Sequence, residues 1–191
     1  MDMPFPAYCG DIPVHLFFAL LPPPDVCPAI DRLGITLQRA HRLGGRRIGK
    51  TQQHATLASL YHPWHNSGGP LTETIARARS VAADVQHPPF PLSFEWSESF
   101  RLHRRRHPLV LRGDQGLRAL IGFRHEIRAR MTRAGFAVTP SFTPHLTLLW
   151  ADDCVEAHPL APIGWTARDF ALVLSLVGLS RHIHLARWPL Q

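Results

Sequence analysis

The chain has 191 residues, of which 45% are hydrophobic and 18% charged, a composition that excludes a disordered protein. Its apolar runs fall far short of the ~20 residues that span a membrane, and Cys9, Cys27 and Cys154 are too few and too widely spaced for a disulfide framework, so we expect a cytoplasmic protein without a signal peptide. The net charge of +7 favours an anionic partner such as nucleic acid or phosphate.

The predicted elements of the first half follow a lead-in over residues 1–13, which contains three prolines and is expected to be loose. Residues 14–21 (VHLFFALL) form an apolar run that ends at a proline cluster, which indicates a buried strand. Asp25 is expected to cap a helix whose apolar residues recur at helical spacing, and Gly44 is expected to end it. The strand that follows carries the motif HATL at residues 54–57.

The second half repeats this order of elements 91 positions later. Sliding the sequence by that distance places residues 18–21 on residues 109–112, the first helix on a predicted helix over 115–134, and HATL on the motif HLTL at 145–148. Strand, helix end and motif match in one register, which indicates an internal duplication.

The remaining segments predict a helix over residues 67–86 and strands over 90–100, 170–177 and 182–188. Strands outnumber what short parallel crossovers could use. We therefore expect an α+β fold of two pseudo-symmetric lobes, with antiparallel sheets and helices packed outside, in a single domain over residues 1–191.

The two motifs place a histidine and a threonine on the same face of each strand, because residues i and i+2 point the same way. Imidazoles titrate near neutral pH, so His54 and His145 could serve as a pair in which one accepts a proton while the other donates one. In-line cleavage of a phosphodiester needs such a pair, and the hydroxyls of Thr56 and Thr147 can donate hydrogen bonds to the phosphate oxygens. A single His-x-Thr is usually structural, but two copies at matching positions favour phosphodiester chemistry without metal or cofactor.

The residues that suggest this chemistry also carry a resemblance to a known family. HATL, HLTL, the early strand HLFFALLPPPDV and the ending WTARDFALVLSLVG…LARWPL resemble the 2H phosphoesterase superfamily, and within it the bacterial RNA 2′,3′-cyclic phosphodiesterase (2′-5′ RNA ligase) family. The resemblance covers residues 14–190. It implies a cleft between the lobes, metal-independent opening of a cyclic phosphate to a 2′-phosphate, His54 as proton donor and His145 as proton acceptor. The residues by themselves leave the two roles interchangeable.

One position departs from the family pattern. Many members carry an arginine shortly after the second motif, where this chain has Trp150. The indole either stacks on a base or fills the core, and we take the core to be the better interpretation. Arg46, Arg47 and Lys50, or the run RLHRRRH at 101–107, are then the candidates for contact with phosphate or RNA.

Three alternatives remain open at this stage. The enzyme could act on a small cyclic nucleotide such as ADP-ribose cyclic phosphate or on a 2′-5′ oligonucleotide instead of RNA ends, and 2′-5′ joining could be a side activity. A non-catalytic RNA-binding module is disfavoured because both histidines and both threonines are present. A metal site built on His182 and His184, with His62 or His65, lacks a further ligand at a recognisable spacing. We expect a monomer that binds RNA ends or cyclic nucleotides and no membrane.

Overall fold

The computed structural model describes residues 12–62, 70–102 and 105–191, so most of the expected lead-in, His65 and Arg104 lie outside the described residues. In chain order the strands and helices are β1 (Val14–Leu20), α1 (Cys27–Ala40), β2 (Gly45–Arg47), β3 (Ala55–Tyr61), α2 (Leu71–Ala83), β4 (Phe90–Ser99), β5 (His107–Arg112), α3 (Arg118–Arg133), β6 (Leu146–Ala151), β7 (His158–Ala167), β8 (Asp169–Leu176) and β9 (Arg181–Pro189).

The strands form one curled antiparallel sheet in the order β7-β4-β5-β6-β3-β1-β8-β9, with β2 paired to β6 outside this path. The order is symmetric about the boundary between β6 and β3, since four strands lie on each side of it. The predicted α+β class with two pseudo-symmetric lobes is confirmed. The lobes are, however, two halves of one continuous sheet.

The duplication also appears in the element boundaries. Helices α1 and α3 begin at Cys27 and Arg118, and strands β3 and β6 begin at Ala55 and Leu146, so both pairs of starts differ by the 91 positions that separate the two motifs. Each repeat is therefore a strand, a helix and a motif strand that pairs antiparallel with the first one.

The two faces of the sheet differ in the amount of core that packs against them. On β1, the side chains of Leu16, Phe18 and Leu20 join the main core together with the buried faces of the helices. Phe17 and Ala19 point to the opposite face and belong to a small separate cluster. Helices cover one face with the large core, and the other face is left to form the cleft.

Several local predictions are corrected by the structure. Asp25 does not cap α1; the residue at the cap is Val26, which makes no capping bond through its side chain. The helix ends at Ala40 rather than at Gly44, because the chain turns through Arg42, whose φ is 51°. The sequence-based prediction also missed β2, which has three residues, and the ten-residue strand β7, which contains two prolines and whose alternation breaks between Leu160 and Ile163.

Both motif strands contain a β-bulge just after the threonine. In β3 the register passes from Thr56 to Ala58, and in β6 it passes from Thr147 to Leu149. A bulge adds one residue and reverses the alternation of faces beyond it. Residues three positions after each threonine therefore return to the cleft face, where a regular strand would turn them away.

Strand β2 reaches the cleft because Gly45 permits a close approach to β6. Gly45 has a φ of 108°, and a Cβ there would lie 2.1 Å from the carbonyl oxygen of Trp150. We expect Gly45→Ala to displace β2 and to lower the free energy of unfolding by ~1–3 kcal/mol, measured by denaturant unfolding. Gly122→Ala in α3 is the control, because no atom lies within 4 Å of its Cβ, and it should stabilise the protein by up to ~1 kcal/mol. Wild-type stability in Gly45→Ala would contradict the described β2–β6 pairing.

Candidate active site

The site is organised by one pair of residues, Ala55 on β3 and Leu146 on β6, which face each other in the antiparallel register. His54 and His145 immediately precede these strands, and extending the register by one residue in each direction sets His54 opposite Thr147 and Thr56 opposite His145. Residues directly opposite in an antiparallel pair share a face of the sheet. The four motif side chains therefore form a two-by-two group at the symmetric centre of the molecule.

The two imidazoles are held in the same way. Nδ1 of His54 donates a hydrogen bond of 2.7 Å to the carbonyl oxygen of Gln52, and Nδ1 of His145 donates one of 2.8 Å to the carbonyl oxygen of Thr143. A carbonyl oxygen only accepts, so Nδ1 carries the hydrogen in both rings. In each neutral imidazole Nε2 is then the basic atom that can exchange a proton with a substrate.

The segments that present the histidines are anchored to the repeated helices. Gln53 is buried and its amide donates to the carbonyl oxygen of Cys27, at the start of α1. Before His145, the buried Arg124 of α3 donates to the carbonyl oxygen of Thr139, and its guanidinium lies 4.7 Å from the ring centre of Phe142. Each helix therefore fixes the loop that ends at a motif histidine.

Both motif histidines lie in one cavity of about 540 Å³. The half of the sheet that contains β1 contributes residues of β1, the segment before β3 and the β8–β9 hairpin. The half that contains β6 contributes β6 with the residue before it and the residue before β5, and β2 also lines the cavity. The residues that line it are His15, Phe17, Arg46, Arg47, Ile48, Gln52, His54, Arg106, His145, Thr147, Trp150, Ser175, Leu176, Val177, Gly178, Ser180 and His182.

Most of the candidates from the sequence are brought together there. Arg46, Arg47, Thr147 and Trp150 line the cavity with the two histidines, and Arg106 joins them from the basic run. Lys50 and Thr56 are not among the described residues that line it. Lys50 lies in an exposed 3-10 turn, and Thr56 is half-buried between Ala19 of β1 and His145.

Burial keeps both imidazoles neutral near pH 7. Desolvation lowers the pKa of His54 to about 4; the hydrogen bond to Gln52 opposes this shift, and positive charge on His145 or His184 reinforces it. Desolvation also lowers the pKa of His145, opposed by the bond to Thr143 and reinforced by the guanidinium of Arg112. Positive charge on His145 therefore disfavours a proton on His54.

Further side chains fix the ring of His145. Phe100 contacts it edge-on with a centroid distance of 5.0 Å, and the guanidinium of Arg112 lies 5.6 Å from the centre of the Phe100 ring. Arg112 in turn donates to Glu98 at 2.7 Å. The arginine is thereby held by its acidic partner while it remains near the imidazole.

Two histidines of the cavity were not identified from the sequence as site residues. His182 lies 5.1 Å from His54 between ring centroids, and both rings contact Phe17. His15 contacts Phe17 from the other side, and its Nε2 lies 2.8 Å from the hydroxyl of Ser59. The only sequence signal was their alternation with other residues on strands: His15 precedes Phe17 by two positions, and His182 was noted as a candidate metal ligand.

The structure gives the metal interpretation no support. Across residues 12–62, 70–102 and 105–191, no group of three or more His, Cys, Asp or Glu side chains is arranged to hold a metal ion.

Trp150 corrects the interpretation made from the sequence. Its side chain is 39% exposed and lines the cavity, so the core interpretation is wrong. The β6 bulge is the reason: in an unbroken strand Trp150 would share the face of Leu146 and Leu148, whereas beyond the bulge it shares the face of Thr147.

No family model matches the sequence, and no curated protein matches it significantly. Solved structures do match. A phosphoesterase superposes with a TM-score of 0.70 at 26% identity and covers 94% of this chain and 99% of its own. LigT of E. coli, in complex with 3′-AMP, superposes with a TM-score of 0.65 at 26% identity and the same 94% and 99% coverage. TT0787 of Thermus thermophilus, at 18% identity, shares the fold with a TM-score of 0.71 over 92% of this chain and 97% of its own.

The curled sheet matches the fold of these structural neighbours, which are members of the 2H phosphoesterase superfamily, and this confirms the resemblance seen in the sequence. Among the matched members, LigT is a 2′-5′ RNA ligase. Fold and relatives together support a phosphoesterase or RNA ligase activity. Within the described residues, no helix is long and apolar enough to cross a membrane.

The buried histidines predict an acid-sensitive fold. Burial, reinforced by neighbouring histidines, lowers the pKa of His15 to about 4, as it does for His54. The unfolded chain, with histidine pKa values near 6.5, binds more protons between pH 6.5 and 4, so stability is complete above pH 6.5 and is lost as the pH falls toward 4. We expect a loss of up to ~1.4 kcal/mol per pH unit for each such imidazole, measured by urea unfolding at several pH values.

His15→Gln should make this dependence on pH less steep, because one buried titrating group is removed. The same substitution at the exposed His125 is the control. If the slope for His15→Gln equals that of the wild type, His15 does not contribute to the acid sensitivity.

Proposed function

We propose that the protein is a metal-independent phosphodiesterase that opens RNA 2′,3′-cyclic phosphate ends to 2′-phosphates by paired histidine acid–base catalysis, with 2′-5′ RNA joining as a side activity. The observation that carries the proposal is the matched orientation of His54 and His145, each with Nδ1 bound to a carbonyl oxygen within one cavity. The likeness to LigT, a 2′-5′ RNA ligase, supports the substrate class.

In the proposed reaction His145 is the base and His54 is the acid. Nε2 of His145 takes a proton from water, and the water oxygen attacks phosphorus. The bond from phosphorus to the 3′-oxygen breaks, and this oxygen receives the proton from Nε2 of His54, which leaves a 2′-phosphate and a 3′-hydroxyl. The roles follow the family pattern and would reverse in the opposite direction of reaction.

The negative charge of the substrate favours the protonated form of His54, the proposed acid. In the free protein burial favours the neutral form of His54, whose pKa is lowered to about 4. A phosphate anion beside the ring favours the imidazolium and raises this pKa toward its usual range. Binding of the substrate therefore charges the group that must donate the proton.

Hydrogen-bond donors around the phosphate would complete the site. We propose that Thr56 and Thr147 donate to the non-bridging oxygens as negative charge develops there. Arg46 and Arg47 supply positive charge from β2, and Lys50 is proposed to contribute from the adjacent turn, outside the cavity lining. Trp150 is proposed to bind substrate on the side of His145, beyond the reacting phosphate.

A small cyclic nucleotide, such as ADP-ribose cyclic phosphate, is the second candidate substrate. The observation in its favour is that Trp150 occupies the cavity at the position of the arginine of many family members, which changes how phosphate can be met. Incubation of the purified protein with both substrates in the presence of chelator distinguishes them by the product formed.

Replacement of either histidine is the direct test of the mechanism. We expect His54→Ala and His145→Ala each to lower kcat for a dinucleotide that ends in a 2′,3′-cyclic phosphate by ~10²–10⁴-fold, because one proton transfer is lost. His125→Ala, on the exposed side of α3, is the matched control with wild-type activity expected. Activity is expected to survive EDTA. Full activity in either cavity variant would exclude the paired mechanism.

The rate should also depend on pH in a way set by the lowered pKa values. The active form of the free protein carries one proton on the histidine pair, and both pKa values lie below the usual 6.5. The profile of kcat/KM should therefore be bell-shaped with its maximum below pH 6.5. The profile of kcat should lie at higher pH, because the bound phosphate raises the pKa of His54. A maximum of kcat/KM above pH 7 would show that the rings are not desolvated in the working enzyme.

A further inference from the structure

The cavity extends beyond the histidine pair to an exposed aromatic side chain. Trp150 returns to the cleft face because of the β6 bulge, and it is 39% exposed there although large apolar side chains are mostly buried in this protein. An exposed indole in the cavity lining leaves an apolar face available to a ligand.

Positive charge flanks this indole on both sides. Arg46 of β2 lies directly opposite Trp150 in the register. On the other side Pro108 of β5 is its partner, and Arg106, two residues before Pro108, also lines the cavity. An exposed aromatic ring in a cavity that Arg46 and Arg106 also line fits a nucleotide, since the base can stack on the ring while phosphate oxygens meet the arginines.

The opposite repeat lacks this arrangement. The position that corresponds to Trp150 in the first repeat is Ser59, whose hydroxyl is engaged with His15. On that side the cavity is lined instead by Phe17, His15 and His182 beside His54. The cavity is therefore asymmetric, with a different surface next to each motif histidine.

We propose that Trp150, Arg46 and Arg106 form a second nucleotide subsite, which binds the nucleotide that supplies the 5′-oxygen of a 2′-5′ linkage. This inference rests on the proposed function, in which the terminal ribose leaves on the side of His54 and the nucleophile enters on the side of His145. Trp150 and His145 belong to the same half of the cavity, so a 5′-hydroxyl held there takes the position of the attacking water.

The same subsite serves cleavage of a 2′-5′ linkage. The 3′-hydroxyl of the first nucleotide gives its proton to His54 and its oxygen attacks phosphorus. The bond from phosphorus to the 5′-oxygen breaks, and that oxygen takes a proton from His145. The products are a 2′,3′-cyclic phosphate and a nucleoside with a free 5′-hydroxyl, so that no co-reactant is required.

A comparison of two substrates tests the proposed subsite independently of the catalytic histidines. Adenosine 2′,3′-cyclic phosphate leaves the second subsite empty, whereas a 2′-5′-linked adenosine dinucleotide must fill it. Stacking of one base contributes ~1–3 kcal/mol. We therefore expect Trp150→Leu to lower the ratio of kcat/KM for the dinucleotide to kcat/KM for the cyclic mononucleotide by roughly 5- to 150-fold. Trp150→Phe keeps a ring and should restore most of this ratio.

The outcomes distinguish the subsite from the proposed function. An unchanged ratio in Trp150→Leu, or equal ratios in the Leu and Phe variants, overturns the stacking subsite. A wild-type protein that hydrolyses the cyclic mononucleotide and does not cleave the dinucleotide also overturns it, while the proposed function stands. A wild-type protein inactive on both substrates overturns the proposed function, and the subsite with it.

Discussion

The antiparallel pairing of β3 with β6 at Ala55 and Leu146 is the contact on which the site depends. It joins the two repeats into one sheet and sets a histidine of each repeat beside a threonine of the other. A shift of either strand by one residue would send the histidine and threonine of that strand to the core face. The bulges after both threonines and the anchoring of both histidine loops to α1 and α3 hold that register from either side.

Much of this arrangement could be predicted from the sequence, because the duplication gives two regular patterns, one between the repeats and one within each motif. The spacing of 91 positions aligned the repeats, and the alternation within each motif put histidine and threonine on one face. The predictions failed where the structure interrupts the alternation of side chains along a strand. A bulge adds a residue without any composition signal, so the exposure of Trp150 was predicted incorrectly. Strand β7 was missed because two prolines and one break in its alternation interrupt the pattern expected of a half-buried strand.

Burial of the histidines around Phe17 affects both their protonation and the stability of the fold at low pH. His15, His54 and His182 surround a ring that is 2% exposed, and their pKa values are lowered chiefly by burial. Neutral imidazoles pack as aromatic groups, whereas imidazolium ions in the same positions would be desolvated and would repel one another. Burial thus keeps these imidazoles uncharged near neutral pH, and an anion beside them would favour their protonated form. Sequence could not reveal this, because it depends on which strands become neighbours.

The comparison of Ser59 with Trp150 shows where two copies of one structure have diverged. Both residues follow the motif threonine by three positions, and both are returned to the cleft by a bulge. A symmetric pair would give a cleft with equivalent ends, yet the breaking of a phosphodiester is directional: one oxygen enters and the opposite one leaves. At one end the hydroxyl of Ser59 is bound to His15, and at the other end the indole of Trp150 lies opposite Arg46 in the register, so the two ends are chemically distinct. The matching backbone holds the two imidazoles alike, while the side chains beyond them differ between the two ends of the cleft.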